Sequence, residues 1–275
     1  MKNSRNKRQK PQKFRAPEPA KLKRRPTLYG FHAAREAWLN PERVIEGLYL
    51  TAQSASGFEA TLAEGRARKM RRPEPEIIEK HALDKALPHG AVHQGVALCA
   101  QPLPEGDLSD LTIAAQGRAR TVLVMLDQVT DPHNLGAILR SACVFGLHGL
   151  IQQKKHAPEL DAVVAKTACG AVEHVPVANV TNLSRALETL KEEGFLVIGL
   201  DERGETTIGE AVPRSYADSG KIMLVLGSEG EGIRRLVREN CDILARLPAP
   251  GPIQSLNVSN AAAVAFYAVC GAVKA

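Results

Sequence analysis

The regular alternation of short apolar runs with amphipathic helical patterns, from about residue 111 to the end of the chain, constrains the fold most. The apolar runs fall at residues 122–126, 150–151, 195–200, 222–226 and 243–247. Helical patterns lie between them at residues 135–146, 159–169, 182–193 and 231–239. Strands that are apolar on both faces and separated by helices are typical of a parallel sheet covered on both sides. The sequence therefore predicts an α/β domain over residues 111–275.

A smaller α/β pattern precedes this domain. Helices are predicted from residue 28 to about 39, from about 51 to 70 and over 82–87. Strands are predicted at 44–50, in the P-E-P-E-I-I segment and at 96–99. The segment 101–110 contains two prolines and a glycine, which is typical of a linker. We therefore predict a small domain over residues 27–100, joined by this linker to the larger one.

Basic residues are concentrated at the N-terminus. Residues 1–26 contain eleven Lys or Arg and one acidic residue, Glu18, whereas the remaining chain has 25 basic and 29 acidic residues. The segment has few apolar side chains, so burial cannot offset the entropy of folding, and we predict that it is disordered. A mobile polycation on a slightly acidic body favours a polyanionic partner, RNA or DNA. A solubility tail is the alternative, and a secretory signal does not fit.

Cysteine spacing and hydropathy bear on cofactors and compartment. The five cysteines are odd in number and widely spaced, without a C-x-x-C pair, so neither a disulfide framework nor a zinc site is expected. A reducing cytoplasm is the expected compartment. Residues 261–273 carry no charged or amide side chain, but thirteen residues are too few to cross a bilayer, which needs about 20. We predict a helix buried on nearly every side, in the core or shared with another subunit, and no membrane partner.

The turn after the first apolar run of the larger domain is the first candidate site. Residues 126–142 read L-D-Q-V-T-D-P-H-N-L-G-A-I-L-R-S-A. Asp131 followed by Pro132 predicts the start of a helix, at the carboxyl end of a strand where parallel sheets bind their ligands. Asn134 and Arg140 are the candidate functional residues. An ordinary capped helix with Arg140 in solvent explains the same pattern equally well.

A glycine-rich loop forms the second candidate. Residues 226–233 read L-G-S-E-G-E-G-I, between an apolar run and a helical pattern. Glycine permits close approach of the backbone to a ligand. The spacing differs from the dinucleotide fingerprint, however, and the carboxylates of Glu229 and Glu231 would repel a pyrophosphate. The loop is thus not expected to hold a phosphate, and the pattern alone leaves its function open.

The third candidate precedes the apolar helix. Residues 247–261 read L-P-A-P-G-P-I-Q-S-L-N-V-S-N-A. The polar side chains of Ser255, Asn257, Ser259 and Asn260 lie directly before the helix. They either cap this helix or belong to a site at its N-terminus, and the segment alone does not choose between the two.

Together, the three segments resemble the three ordered motifs of the SpoU (TrmH) family of RNA ribose 2′-O-methyltransferases, in the SPOUT superfamily. The Y-G-F-H-A and H-Q-G-V segments of the smaller domain resemble the substrate-binding domain of the branch that methylates a guanosine of large-subunit ribosomal RNA. The resemblance covers residues 28–273. It implies a sheet whose C-terminal part forms a trefoil knot, S-adenosylmethionine as cofactor, ribosomal RNA as substrate, a homodimer and no metal.

The resemblance also assigns site residues. Positions that match the cofactor contacts of the family are Gly227, Leu247 and Leu256. Positions that match its catalytic set are Asn134, Arg140, Glu229, Ser255 and Asn257. The resemblance implies that Glu229 holds Arg140 or Asn134 in place, that Ser255 and Asn257 orient the ribose, and that the Arg acts beside the partner's cofactor.

The role of Arg140 stays open between two interpretations. The family proposal makes this Arg the general base, assisted by an RNA phosphate. A guanidinium pKa above about 12 makes a clamp on phosphate and on the transition state the chemically simpler role. Other functions remain as alternatives: a transfer-RNA target, a noncatalytic RNA-binding or ribosome-assembly factor and, more distantly, a nicotinamide oxidoreductase, for which the glycine spacing is missing.

Overall fold

The protein folds into two α/β units, each built around its own sheet. The structure is a computed structural model and describes residues 22–217, 219–253 and 255–270. Four strands near the N-terminus form one sheet, and seven strands from the rest of the chain form the other. The predicted linker, residues 101–110, lies between the last strand of the first sheet and the first strand of the second.

The smaller sheet has the strand order β1-β4-β2-β3, and β4 pairs antiparallel with both of its neighbours. Its strands are β1 (Leu28–Tyr29), β2 (Ile45–Leu50), β3 (Glu76–Ile77) and β4 (Val96–Ala100). Its helices are α1 (Phe31–Leu39), α2 (Ala52–Ala67) and α3 (Lys80–Ala86). Gly95 has a left-handed φ of 77° and lies so close to the cap of α2 that a Cβ would stand 2.4 Å from the Thr51 hydroxyl. The glycine of the H-Q-G-V segment is therefore required by packing.

The last residues of the predicted tail belong to the small domain. The Arg24 amide donates to the Tyr49 hydroxyl at 2.9 Å, and the Arg24 guanidinium donates to Glu46 at 2.6 Å. Leu22 packs on the apolar cluster around Tyr49. Residues 22–26 are thus held by specific contacts, which corrects the predicted limit of the disordered segment. Residues 1–21 lie outside the described residues, and their disorder stays a prediction.

The larger sheet has the order β7-β6-β5-β10-β8-β11-β9, and all of its neighbouring strands are parallel. Its strands are β5 (Arg120–Leu126), β6 (Gly149–Gln153), β7 (Val177–Val180), β8 (Phe195–Leu200), β9 (Thr206–Thr207), β10 (Gly220–Leu226) and β11 (Ile243–Arg246). The prediction of a parallel α/β sheet is confirmed. The apolar runs do not reveal β7 and β9, because β7 contains Asn179 and β9 consists of two threonines.

Helices cover both faces of this sheet. They are α4 (Leu108–Ala115), α5 (Pro132–Val144), α6 (Ala162–Thr167), α7 (Leu183–Glu192), α8 (Ile208–Ala211), α9 (Arg214–Ala217), α10 (Arg235–Glu239) and α11 (Val258–Cys270). Alternate residues of the central strands point to opposite sides. Val124 and Leu224 pack in a core with α5 and α11, whereas Leu123 and Met223 pack in a second core with α4 and α7. Helix α4 begins inside the predicted linker, where Asp107 forms its capping box.

Helix α11 is not buried on every side within a single chain, which leaves the predicted alternative of a helix shared with another subunit. Ala262, Ala265 and Phe266 are fully buried against the core, but Val264 is exposed and Tyr267 is 66% exposed. Within one chain the helix therefore buries one face and leaves another apolar face in solvent. Residues 271–273, the end of the predicted helix, lie outside the described residues. In the part of the chain that the structure describes, no helix is both long enough and apolar enough to span a membrane.

A buried polar contact joins the two units. The Asn40 amide, after α1, donates to Glu173 at 2.8 Å, and the Arg43 guanidinium lies 3.5 Å from the same carboxylate. Both charged side chains are almost completely buried. Burial raises the pKa of Glu173 even though Arg43 opposes the shift. Because a buried charge is tolerated only with a partner, this pair is one of the specific contacts between the small domain and the larger one.

Candidate active site

The three candidate segments meet at the carboxyl edge of the larger sheet. Strands β5 and β10 are neighbours and run in register to their last residues, where Leu126 pairs with Leu226. Asn134 lies in the first turn of α5, which follows β5. Glu229 lies in the loop after β10, and Asn257 directly precedes α11. The chain thus delivers one polar side chain from each motif to the same place.

These three side chains form a hydrogen-bonded group, which we call the Asn–Glu–Asn cluster: Asn134, Glu229 and Asn257. The Oε1 atom of Glu229 accepts from Asn257 Nδ2 at 2.5 Å and from Asn134 Nδ2 at 3.2 Å. Asn257 Nδ2 also donates to Asn134 Oδ1 at 3.0 Å. The amide of Val258 adds a weaker bond to Glu229 at 3.4 Å. Glu229 therefore holds Asn134, which is one of the two partners that the family resemblance implies.

Asn257 has a structural function as well. Its Oδ1 accepts from the Ser259 amide at 2.9 Å and from the Ser259 hydroxyl at 2.5 Å. An amide oxygen that accepts from a backbone N–H in the first helical turn is a helix N-cap. The oxygen of Asn257 thus caps α11 while its nitrogen enters the cluster. The sequence leaves a helix cap and a site as alternatives for this residue. In the structure, the same side chain takes part in both.

The glycine loop closes on itself. Ser228 and Gly232 exchange backbone hydrogen bonds of 3.2 and 3.1 Å, and Gly230 has a left-handed φ of 88°. A Cβ on Gly227 would lie 2.1 Å from the carbonyl carbon of Gly232. Because no other residue fits there, Gly227 is required for the loop to fold back tightly. This loop presents Glu229 to Asn134 and Asn257.

An ion pair between buried Asp127 and partly exposed Arg234 anchors the same loop, and it is not among the features predicted from the sequence. Asp127, at the end of β5, is fully buried and accepts from the Arg234 amide at 2.8 Å and from the Arg234 Nε at 2.7 Å. Arg234 ends the glycine loop. The pair therefore ties the segment that carries Glu229 to the segment that leads to Asn134. An acidic residue directly after an apolar strand run is the signal that could have indicated it.

Two predicted catalytic residues do not join the cluster. Arg140 lies on an exposed face of α5, and Ser255 is exposed in the loop before α11. Neither side chain forms a hydrogen bond or ion pair with any residue that the structure describes. His133, next to Asn134, also points elsewhere, because its Nδ1 lies 3.4 Å from the Thr167 hydroxyl.

The predicted cofactor residues lie in the second and third motifs. Gly227 begins the glycine loop, Leu247 follows β11 and is half-buried, and Leu256 is 54% exposed directly before Asn257. In the described ranges, no group of three or more His, Cys, Asp or Glu side chains could hold a metal ion. The cluster itself consists of a carboxylate and two amides. Such groups can orient a hydroxyl and accept hydrogen bonds from it.

Comparison with known proteins agrees with this geometry. The model of the SpoU rRNA Methylase family matches residues 121–267, a range that contains all three motifs. A 23S rRNA (guanosine-2′-O-)-methyltransferase RlmB from Pasteurella multocida is 39% identical over 247 residues, which cover 88% of this chain and 96% of that protein. RlmB from Escherichia coli strain K12 is 44% identical over 197 residues, covering 70% of this chain and 76% of its own.

The fold has a counterpart among solved structures. An AdoMet-bound rRNA methyltransferase from Sinorhizobium meliloti superposes with a TM-score of 0.71 and 20% identity. The match covers 91% of this chain and 88% of that one, so it includes both sheets. On the motifs, the family model and these relatives, the chain belongs to the SpoU rRNA methylase family.

Proposed function

We propose that this protein transfers a methyl group from S-adenosylmethionine to a ribose 2′-hydroxyl in RNA, and that its target is a guanosine of 23S ribosomal RNA. The observation that carries the proposal is the Asn–Glu–Asn cluster, because it unites one residue from each family motif at the ligand-binding edge of the sheet. The choice of target is supported by relatives with that activity in their names, which match along both domains.

The cofactor would be held by Gly227, Leu247 and Leu256. The second and third motifs offer groups that suit such a ligand, since Ile253 and Leu256 are exposed apolar side chains and the glycine loop carries backbone polar groups. A pocket that combines apolar walls with a few polar groups is typical of small-molecule sites. When bound, S-adenosylmethionine supplies an electrophilic methyl group on a sulfonium.

The residues of the chain then have to orient the ribose and release its proton. A 2′-hydroxyl is a weak nucleophile at neutral pH, so correct positioning is the larger contribution, on the order of several kcal/mol. Asn134 and Asn257 are fixed by Glu229 and would orient the hydroxyl together with Ser255. The cluster contains no His or Lys that could accept the proton. We assign to Arg140 the binding of the RNA phosphate and of the charge in the transition state.

A homodimer explains how Arg140 reaches a cluster. Val144, at the end of α5, is 72% exposed, and the Phe145 ring contacts exposed Tyr267 of α11 with a centroid distance of 6.1 Å. Arg140 and Val144 are four residues apart on one helix, so they share a face. We propose that a second copy covers this apolar face, which brings Arg140 to the partner's site. Tyr267→Glu should give a monomer by light scattering, with methylation abolished; a dimer with normal activity would contradict the arrangement.

We also propose that α11 completes the trefoil knot of the family. Two observations support it. Strand β10 lies between β5 and β8, although β8 precedes it in the chain, so a later strand enters between two earlier ones. Helix α11 then packs against α5 in the core on one face of the sheet. Knots are exceptions to the usual rules of chain topology. Here the knot would hold two cofactor loops together.

The small domain and the basic segment would bind the RNA. Residues 1–21 contain the greater part of the basic excess of the N-terminus and lie outside the described residues. For single-stranded RNA, the plot of log K against log salt has a negative slope. Each phosphate that the protein no longer neutralises makes this slope shallower by about 0.7. Deleting residues 1–21 should therefore weaken RNA binding and flatten its salt dependence, measured by titration at several salt concentrations. An unchanged slope would contradict a role in RNA binding.

Since ribosomal RNA is the substrate and all five cysteines are free, we place the protein in the cytoplasm.

The central experiment combines cofactor binding with methyl mapping. Calorimetry should detect binding of S-adenosylmethionine, and the protein should methylate unmodified 23S ribosomal RNA made in vitro. The product should show one site that resists alkaline cleavage, because a 2′-O-methyl group blocks that reaction. A transcript with a 2′-deoxyguanosine at the mapped position is the matched control and should accept no methyl group. RNA binding without cofactor binding would support the noncatalytic alternative, and methylation of transfer RNA alone would correct the target.

A further inference from the structure

A groove beside the Asn–Glu–Asn cluster is not used in the proposed methyl transfer. It lies at the carboxyl ends of β5 and β6 and has a volume of about 260 Å³. Its lining combines the apolar Leu126, Val129 and Ala157 with the polar or basic Gln128, Gln152, Gln153, Lys155, His156 and Arg234. We call it the β5–β6 groove. A second cavity of about 460 Å³ shares Gln153 and Arg234 with it and continues toward the start of α7.

Gln152 points to a missing ligand in this groove. The side chain is buried, with 5% of the residue exposed. Its Nε2 donates to the Pro158 carbonyl at 3.4 Å and to Asn179 Oδ1 at 3.0 Å, which fixes the orientation of the amide. Its Oε1 is buried and has no partner among the described residues. Buried polar atoms in native proteins are nearly always paired, so this oxygen calls for an N–H or O–H donor from a molecule in the groove.

The charges of the groove favour an anion. Arg234 is held by Asp127, and its Nη2 donates to Gln153 at 2.9 Å, so its guanidinium has a fixed position. Lys155 has no carboxylate partner in the described part of the chain, whereas the neighbouring Lys154 pairs with Glu105 at 3.1 Å. No acidic side chain lines the groove. Because Arg234 is already paired with Asp127, Lys155 is the lining cation that is left to match a phosphate, and the amides match the polar edge of a base or a ribose.

The groove and the cluster are built on the same two loops. Gln128 lies in the segment that leads to Asn134, and it adopts a left-handed φ of 60°. Arg234 ends the loop that carries Glu229. An RNA strand with its target ribose at the cluster therefore lies at the same edge of the sheet as the groove. Single-stranded RNA is recognised by contacts to phosphates and to the edges of splayed bases, which are the contacts that this groove offers.

We propose that the β5–β6 groove binds the nucleotide next to the methylated one, with its phosphate at Lys155 and a donor of its base or ribose on Gln152 Oε1. The proposal rests on the proposed function, since it takes RNA as the substrate. It makes the groove a determinant of RNA affinity and of the sequence beside the target, separate from the cofactor site.

A charge-reversal pair tests the groove. Lys155→Glu should raise KM for in vitro transcribed 23S ribosomal RNA roughly tenfold and leave kcat within about twofold, because it removes a phosphate contact outside the reacting groups. The negative slope of log K for RNA binding against log salt should become shallower by about 0.7. Lys154→Glu is the matched control, since it makes the same charge change at the next residue, outside the groove. Its KM should stay within about twofold of wild type, and S-adenosylmethionine should bind both variants normally by calorimetry.

Crosslinking provides a second readout that does not need activity. The full-length protein is irradiated with the same RNA containing 4-thiouridine, and mass spectrometry should locate adducts on residues 152–157. Equal KM values for the two lysine variants, with no adduct on residues 152–157, would overturn the proposal that the groove binds RNA. If the wild-type protein still methylates RNA, the proposed function is upheld. If wild-type protein methylates no RNA, the proposed function fails. In that case adducts on residues 152–157 would still support RNA in the groove, and their absence would overturn both.

Discussion

The two parts of the proposed catalytic set differ in how the fold holds them. Asn134, Glu229 and Asn257 are locked together by hydrogen bonds of 2.5 to 3.2 Å, and Asn257 also caps a helix. Arg140 and Ser255 are exposed and have no such contacts with the described residues. The first group is a preformed part of the single chain. The second group is free to contact RNA, cofactor or a second subunit.

This difference separates stability from catalysis. A residue of the locked group serves the fold and the reaction together, so its removal should lower both. Arg140 and Ser255 make no side-chain hydrogen bond or ion pair with the described residues, so only activity should fall when either is replaced. Measuring melting temperature and kcat in the same variants tests that division.

The largest effect is expected for Arg140→Ala. Removing a charge-stabilising group typically lowers kcat by roughly 10³-fold, and the melting temperature should not change because the side chain has no hydrogen bond or ion pair within the described chain. Arg185, another exposed helical arginine, supplies the control variant Arg185→Ala, which should keep full activity. Arg140→Lys keeps the charge, so partial activity with an unchanged pH profile supports a clamp over a base. Near-normal methylation by Arg140→Ala with intact cofactor and RNA binding would show that our assignment is wrong.

Glu229→Ala should lower both quantities. Three N–H donors lose their acceptor, which should reduce kcat roughly 100-fold. Since Glu229 and Asn257 are exposed, water replaces part of the lost bonds, and the free energy of unfolding should fall by less than about 1 kcal/mol. Glu231→Ala is the matched control, because it removes an exposed carboxylate from the same loop. Stopped-assay kinetics and thermal unfolding measure the two effects. A drop in activity without any drop in stability would show that these hydrogen bonds do not stabilise the fold, and would group Glu229 with Arg140 and Ser255.

Ser255→Ala should have a smaller effect, on activity alone. One hydrogen bond to the ribose corresponds to a roughly tenfold change in kcat/KM, since about 1.4 kcal/mol is a factor of ten. The melting temperature should equal that of wild type. Ser56→Ala, on the exposed side of α2, is the control and should change neither quantity. A destabilised Ser255→Ala variant would mean that this loop is also held by the fold.

The smallest effect is expected at Asp201, a buried carboxylate directly after β8. It lies at the carboxyl edge of the larger sheet, outside the Asn–Glu–Asn cluster. Hydrogen bonding from Arg203 is the main cause that lowers the pKa of Asp201 below its ordinary value of 3.8. Its stabilising effect is therefore present above pH 3.8 and disappears as the pH falls through the lower folded-state value. Asp201→Asn should lower the melting temperature by roughly 2 °C at pH 7, and the difference should vanish toward acid pH. Glu202→Gln is the control, and an acid-independent difference would contradict the linkage.

Much of the fold follows from local pattern. Apolar runs that alternate with helical periodicity predict the parallel sheet, and Asp131 with Pro132 predicts the start of α5, where the Asp131 carboxylate accepts from the His133 amide at 2.9 Å. Strand β7 escapes this reasoning because it is short and partly polar. It is a strand only because β6 offers it a partner. The pairing of Glu173 with Arg43, between residues 130 positions apart, is likewise invisible in local sequence.

By itself, the sequence determined the parallel α/β architecture, the three motifs and the family to which they belong, because residue type and spacing carry that information directly. Only the tertiary structure decided which motif residues touch, that Asp127 and Arg234 anchor the glycine loop, and that the described residues leave Gln152 Oε1 without a partner in a groove. The physical reason is that hydrogen bonds and burial depend on distances between segments that are far apart in the chain. Those distances are fixed when β5 and β10 pair at the centre of the sheet.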